Sequence, residues 1–213
     1  MQIQKINQKK FTSKELDKAV KILKAGGVIV YPTETCYALG GDFLSEKAVK
    51  RIYKIKHRRA SFLLPVIAAS LSTAKKMVSF NQKALDFAKR FWPGPVTLIL
   101  KVKRAMRERA KKSGYGFLKN YDDIAIRVSS NKIARGLSRG VNNPIVSTSA
   151  NISGKSECYC AEDVIQQLET SQEKPDLILD AGRLAQVKPS TIIRIKNSVV
   201  EVLRSGPVKL KYR

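Results

Sequence analysis

The sequence predicts an α/β fold, on three observations. Short apolar segments of strand length alternate with amphipathic segments of helical period along the chain. Apolar residues make up 43% and charged residues 27% of the 213, the balance of a globular protein and not a disordered one. No internal repeat, low-complexity tract or Pro/Gly/Ser linker breaks the pattern. A single domain over 1–213, with its core from about 10 to 207, is therefore expected. A domain of this size buries roughly 70% of its unfolded surface and needs no disulfide or metal staple.

The elements follow in order. Residues 13–25 carry Leu16, Ala19, Val20, Ile22 and Leu23 at helical spacing, with Thr12 or Ser13 to cap the start and Gly26-Gly27 to end the helix. VIVYP at 28–32 reads as a buried strand closed by Pro32. Ser45 caps a second helix to about Lys56, with Val49, Ile52 and Tyr53 on one face. Residues 63–69 read as a strand, and 70–77 and 81–91 as helices. Strands are expected at 96–102, 124–128, 144–149, 176–180, 191–195 and 199–203, and helices at 130–139 and 161–169. The last two strands meet around Lys196-Asn197-Ser198, which predicts an antiparallel hairpin and a twisted mixed parallel/antiparallel sheet with flanking helices. Residues 103–121, highly charged and holding Ser113-Gly114-Tyr115-Gly116, read as a mobile surface excursion.

Composition excludes several classes. The apolar stretches run five to eight residues, far below the roughly 20 needed to cross a bilayer, and no basic-then-apolar leader opens the chain. A cytoplasmic protein without membrane association is expected. Cys36, Cys158 and Cys160 form no CxxC pair and leave one thiol over, which argues against a disulfide framework or a structural zinc site. The one histidine, His57, weakens any His-rich metal centre or Ser-His hydrolase. No side-chain metal site is predicted. Lys and Arg number 41 against 17 acids, a net charge of +24, and such a field attracts polyanions such as nucleotides or RNA. Eight bases lie between Lys101 and Lys119 against Glu108 alone, and five between Arg51 and Arg59 with no acid.

Neither GxxxxGK[ST] nor GxGxxG after a strand occurs, so any phosphate must be held by cationic side chains and hydroxyls. The groups for that work lie at strand ends, where α/β sheets place their ligands. PTETCYALGG at 32–41 offers hydroxyls, a carboxylate and an aromatic ring on what reads as a loop leading through Gly40-Gly41 to a helix. Lys56-His57-Arg58 ends a helix with two cations, a point charge and a planar fork. STSANISG at 147–154 follows a strand with five Ser, Thr or Asn in eight positions up to Ile152-Ser153, and KPST at 188–191 and Arg204-Ser205-Gly206-Pro207 flank the last two strands. Arg127 ends the apolar strand IAIR and needs an anionic partner there.

Taken together these segments resemble the YrdC-domain family, and within it the bacterial single-domain threonylcarbamoyl-AMP synthases (TsaC type). The resemblance spans the chain from the helix at 13–25 through Arg204. Its most specific part is the paired KxR…SxN, here Lys56-His57-Arg58 and Ser149-Ala150-Asn151, supported in order by PTET at 32–35, WPGPVT at 92–97, IAIR at 124–127 and STSANISG at 147–154. It implies a YrdC-like fold around a basic concave groove, and the joining of L-threonine, bicarbonate and ATP into L-threonylcarbamoyl-AMP with release of diphosphate. That product serves the N6-threonylcarbamoyladenosine modification of tRNA beside the anticodon. By motif position it implies that Lys56, Arg58, Ser149, Asn151 and Arg204 bind ATP, the first four forming the catalytic cluster. Thr35, Arg127, Ser147 and Ser190 then bind threonine. Mg²⁺ is expected with ATP, no organic prosthetic group is expected, and the implied partners are weakly held tRNA and a downstream threonylcarbamoyl-transferase complex. The chain departs from the family pattern at Arg59, usually Pro, at Phe62-Leu63, and at Ile67, where some longer relatives place a His. The alternative from a different class is a non-enzymatic RNA-binding or ribosome-assembly module of the same fold.

Overall fold

A computed structural model of the chain describes residues 1–59, 64–112, 122–169, 171–196 and 199–209. The first half runs β1 (Gln2–Lys5), α1 (Ser13–Lys24), β2 (Val28–Pro32), β3 (Tyr37–Gly41), α2 (Glu46–Ile55), β4 (Val66–Ile67), α3 (Leu71–Met77), α4 (Gln82–Phe91) and β5 (Val96–Lys101). The second continues α5 (Arg104–Lys112), β6 (Asp123–Arg127), α6 (Lys132–Val141), β7 (Ile145–Val146), β8 (Thr148–Ser149), α7 (Ala161–Leu168), β9 (Leu177–Asp180), β10 (Thr191–Lys196) and β11 (Val199–Arg204).

The mixed pairing is present, divided between two sheets. Five strands pair in the order β1-β9-β2-β3-β8 and six in the order β11-β10-β5-β6-β4-β7. Parallel pairs (β1 with β9, β10 with β5, β4 with β6) stand beside antiparallel ones (β2 with β3, β5 with β6, β10 with β11). β2 shows why its sequence is apolar throughout, since both of its faces are covered. Val28 and Val30 enter the large core with α2, β5 and β6, while Ile29 and Tyr31 enter a second core under α1 and α6. β4 and β9 split the same way: Val66 and Ile178 face the first core, and Ile67, Leu177 and Leu179 the second.

Local chemistry fixes the helix starts. Of the two candidate caps Thr12 takes the position, and the Glu15 carboxylate accepts from its backbone N–H at 2.7 Å. Ser45 caps α2 by accepting from the Ala48 N–H at 3.3 Å.

Four expectations change. β1 has no apolar alternation, being an edge strand that is mostly exposed, and it forms by pairing with β9. Residues 37–41 are a strand and not a loop, because Tyr37, Ala38 and Leu39 are buried and pair with β2. Gly40 belongs to that strand because a Cβ there would run into the Val146 carbonyl. Residues 144–149 are two short strands in different sheets. The charged 103–121 segment contains α5, held by buried Met106 and Ala110, while 113–121 lie outside the described residues. Phe62-Leu63 and Asn197-Ser198 also lie outside them.

Candidate active site

The chain crosses from one sheet to the other at Ser147. β7 pairs with β4 in the six-stranded sheet, and β8 pairs with β3 in the five-stranded sheet. The crossing leaves an opening between the sheets, a cavity of about 690 Å³. That volume lies within the roughly 300–1,000 Å³ usual for small-molecule sites. All nine predicted site residues line it: Thr35, Lys56, Arg58, Arg127, Ser147, Ser149, Asn151, Ser190 and Arg204.

The helix end at Lys56 builds one wall. His57 has φ of 50°, in the left-handed region, and turns the chain so that the Arg58 N–H reaches back to Tyr53 O at 2.9 Å and the His57 N–H to Lys54 O at 3.0 Å. This reversal sends both flanking cations to the cavity, while His57 itself is exposed. The Lys56 ammonium is buried and donates to Ser149 O at 2.6 Å, Asn151 O at 2.7 Å and Asn151 Oδ1 at 3.2 Å. Its own carbonyl accepts from the Ser153 N–H at 3.0 Å. Asn151 Nδ2 in turn donates to Lys155 O. Lys56 is thus the bolt that shapes the 149–155 loop. Its three protons are engaged by protein oxygens, so it acts on a ligand through charge and through the loop it holds. Burial, and then the neighbouring Arg58 charge, pull its pKa down to about 8.

The opposite wall holds Arg127. It is buried at the end of β6, and its Nη1 donates to Glu34 Oε1 at 2.5 Å. Glu34 also accepts from the Ser129 hydroxyl. The anionic partner that Arg127 requires is therefore supplied by the β2–β3 turn, and its guanidinium still lines the cavity. In that turn Thr33 Oγ1 donates to Cys36 O at 2.7 Å and lies 3.0 Å from Thr35 Oγ1. Ser147 is held by its N–H to Pro65 O at 2.8 Å, and its buried hydroxyl lies at the cavity wall beside the Tyr31 phenol.

Ser190 and Arg204 form the third wall. Arg204 donates from Nε to Ser190 O at 3.0 Å and from Nη2 to Ser190 Oγ at 3.1 Å, and Ser190 Oγ lies 2.8 Å from Thr97 Oγ1. Desolvation by the cavity walls and then repulsion from Arg127 lower the Arg204 pKa, so the two guanidiniums sense one another across the site.

Sequence reasoning left Glu34, Ser129 and Thr97 without roles. The need of Arg127 for an anion is the one signal for such a partner, and it does not single out Glu34 among the acids of the chain. The aromatic ring of the same motif, Tyr37, turns the other way and donates to Gly182 O at 2.7 Å. The cluster at 51–59 is less free than its lack of acids implied: Arg51 pairs with Asp176 at 2.7 Å, and Lys54 with Glu173 at 3.8 Å. Ile67 is fully buried in the second core and offers the site no polar contact. No group of three or more His, Cys, Asp or Glu able to hold a metal occurs among the described residues.

Two sheets that meet at a pocket lined by guanidiniums, hydroxyls, Lys56 and Lys155, with Glu157 as its acid, define an α/β protein with a largely cationic cavity of small-molecule size. The chain belongs to the Sua5/YciO/YrdC family, whose model, described as telomere recombination, matches residues 21–206. The threonylcarbamoyl-AMP synthase of Psychromonas ingrahamii is 34% identical over 170 residues, covering 78% of this chain and 85% of that protein. The enzyme of the same name from Pyrococcus abyssi is 34% identical over 194 residues, covering 91% of this chain and 54% of that protein. Among solved structures, P. abyssi Sua5 complexed with L-threonine superposes with a TM-score of 0.84 at 30% identity, over 97% of this chain and 58% of that one. E. coli YciO superposes with a TM-score of 0.82 at 30% identity, over 99% of this chain and 98% of that one. The chain thus spans little more than half of the P. abyssi protein and nearly all of YciO.

Proposed function

We propose that the protein is an L-threonylcarbamoyladenylate synthase, a nucleotidyltransferase that converts L-threonine, bicarbonate and ATP into L-threonylcarbamoyl-AMP and diphosphate. The observation that carries this reading is the convergence of three guanidiniums, Arg58, Arg127 and Arg204, with the hydroxyls of Thr35, Ser147 and Ser190 in one cavity. An RNA-backbone binder has no need of such a hydroxyl-lined pocket, which is why the enzymatic reading is preferred to the binding-module one.

Each wall then has a task. Arg127, oriented by Glu34, pairs with the threonine carboxylate, whose two coplanar oxygens match the guanidinium fork. The hydroxyls of Ser147, Thr35 and Ser190 hold the amine and side-chain hydroxyl of threonine. Arg58 and Arg204, with Ser149 and the loop that Lys56 and Asn151 shape, receive the phosphates. The threonine amine attacks the bicarbonate carbon and hydroxide leaves as water, giving a carbamate. A carbamate oxygen then bonds to the α-phosphorus as the bond to diphosphate breaks. No side chain of unusual basicity is required, since this displacement is mostly positioning and neutralisation of growing negative charge. Donors of this kind suit phosphate and not a bare divalent ion, so Mg²⁺ enters with the triphosphate.

The adenylate feeds the N6-threonylcarbamoyladenosine modification of tRNA through a downstream transferase complex, and weak electrostatic contact with tRNA is part of this reading. Three free and buried cysteines suit the reducing cytoplasm. No helix among the described residues is long and apolar enough to cross a membrane. The test is diphosphate release by the purified protein: it should require ATP, threonine and bicarbonate together. Release that ignores threonine would remove the assignment.

A further inference from the structure

A second concavity, of about 600 Å³, lies between α1 and α6 and shares no lining residue with the active-site cavity. Its charge is mostly cationic, although Phe11, Leu16 and Val20 also line it. Lys132, Arg135 and Arg139 lie at successive turns of α6, and Lys24 closes the groove from α1. Asp17 is its one carboxylate, and no ion pair ties any of the four cations to an acid among the described residues. Arg135 Nε is buried without a hydrogen-bond partner among the described residues, although an unmet buried donor is costly. Lys132 stands in the first turn of α6, where the helix dipole disfavours a cation and no acid accompanies it. The groove is also firmly built, because Gly140 lets Val20 of α1 approach to where a Cβ would lie only 2.6 Å away.

We propose that this groove binds a run of phosphates, with Arg135 as its anchor and Lys132 and Arg139 along its length. One turn of helix separates neighbouring cations by about 5–6 Å, a spacing at which each can meet a different phosphate of one chain. An extended phosphate chain explains the linear row and the unmet donor together, whereas a single small anion would use only one of the cations. The backbone of RNA and a free oligophosphate share this chemistry.

The experiment uses the full chain and compares wild type with Arg135→Gln/Arg139→Gln and with the control Lys75→Gln/Lys76→Gln, which removes the same charge from the last turn of α3. Binding of a fluorescent RNA hairpin is titrated across a salt series, and binding of inorganic tripolyphosphate is measured by calorimetry. Diphosphate release with ATP, threonine and bicarbonate, or the unfolding midpoint, reports that each variant is folded. The groove variant should lose about tenfold in affinity, with the slope of log affinity against log salt shallower by roughly 2, while the control changes little. Loss for the hairpin alone identifies the ligand as RNA backbone, and loss for tripolyphosphate alone as a free oligophosphate. Equal losses in the groove variant and the control, or no loss in either, would overturn the proposal. Arg135→Lys adds a finer reading: it keeps the charge but not the Nε donor, and should still weaken binding.

Discussion

Lys56 Nζ donates to both the backbone and the side-chain oxygen of Asn151, at 2.7 and 3.2 Å, and its remaining proton goes to Ser149 O at 2.6 Å. Residues 93 and 95 positions apart are thereby made into one wall of the site. Lysine suits this role because its three donors are directed from a single compact centre, and each meets an oxygen. The Lys56-x-Arg58 and Ser149-x-Asn151 motifs are therefore not two independent phosphate contacts.

Removing that centre takes the ammonium from three acceptors, two of them buried. Lys56→Met should lower stability by on the order of 3 kcal/mol, seen as a lower urea midpoint at unchanged m-value. An unchanged midpoint would mean that the 149–151 loop holds its shape unaided.

Lys56 also sets a pH dependence. Its pKa of about 8 in the folded protein lies below its ordinary 10.5, so it is charged at neutral pH and loses its proton as pH passes about 8. ATP phosphates have finished titrating by then. ATP affinity should accordingly fall as pH rises through that value, and the fall should be absent in Lys56→Met. Stability moves the opposite way. The unfolded chain keeps the proton longer, so the contribution of Lys56 to folding stability rises between about 8 and 10.5. Calorimetric titration with ATP and unfolding curves across this range check both signs, and parallel trends would contradict the assignment.

The Arg127–Glu34 pair separates the two substrates. Arg127→Lys keeps a charge near Glu34 but loses the fork, and should weaken threonine binding by roughly 10- to 100-fold while ATP binding changes little. Glu34→Gln should act in the same direction, more mildly, because Arg127 loses the carboxylate that orients it. Calorimetry with each substrate decides the matter: a fall in ATP affinity with threonine affinity intact would place Arg127 on the nucleotide side.

His57 carries strain and is exposed, outside the lining of the cavity that its two neighbours enter. Its φ of 50° costs a non-glycine residue about 1 kcal/mol, so His57→Gly should be neutral or stabilising, with diphosphate release retained. Loss of activity in a folded His57→Gly variant would give the imidazole a role that this geometry does not provide.

Much of this was legible in the sequence, for identifiable reasons. α1, α2, α4 and α6 carry long amphipathic periods with Thr12, Ser45, Asn81 and Asn131 at their caps, and such signals are local. β2 showed because both of its faces are buried and its residues are apolar without a break. β1 and β3 did not show. The first is polar and exists only through β9, and the second hides behind two glycines with long-range reasons: the Val146 carbonyl crowds Gly40, and Ala48 of α2 crowds Gly41. The site residues were marked by residue type at strand ends, which motif order could assemble. Glu34 pairing with Arg127, and the capture of all three Lys56 protons by one loop, depend on contacts 93 to 95 residues apart that no local pattern encodes.

The most direct test of the account follows isotopically labelled bicarbonate by mass spectrometry in a mixture of protein, ATP and threonine. The account predicts labelled threonylcarbamoyl-AMP from the wild type. It further predicts a yield lower by roughly tenfold to a hundredfold in folded Arg58→Ala, which loses a charge-assisted phosphate contact. Unlabelled product, or a folded Arg58→Ala variant that matches the wild type, would contradict it.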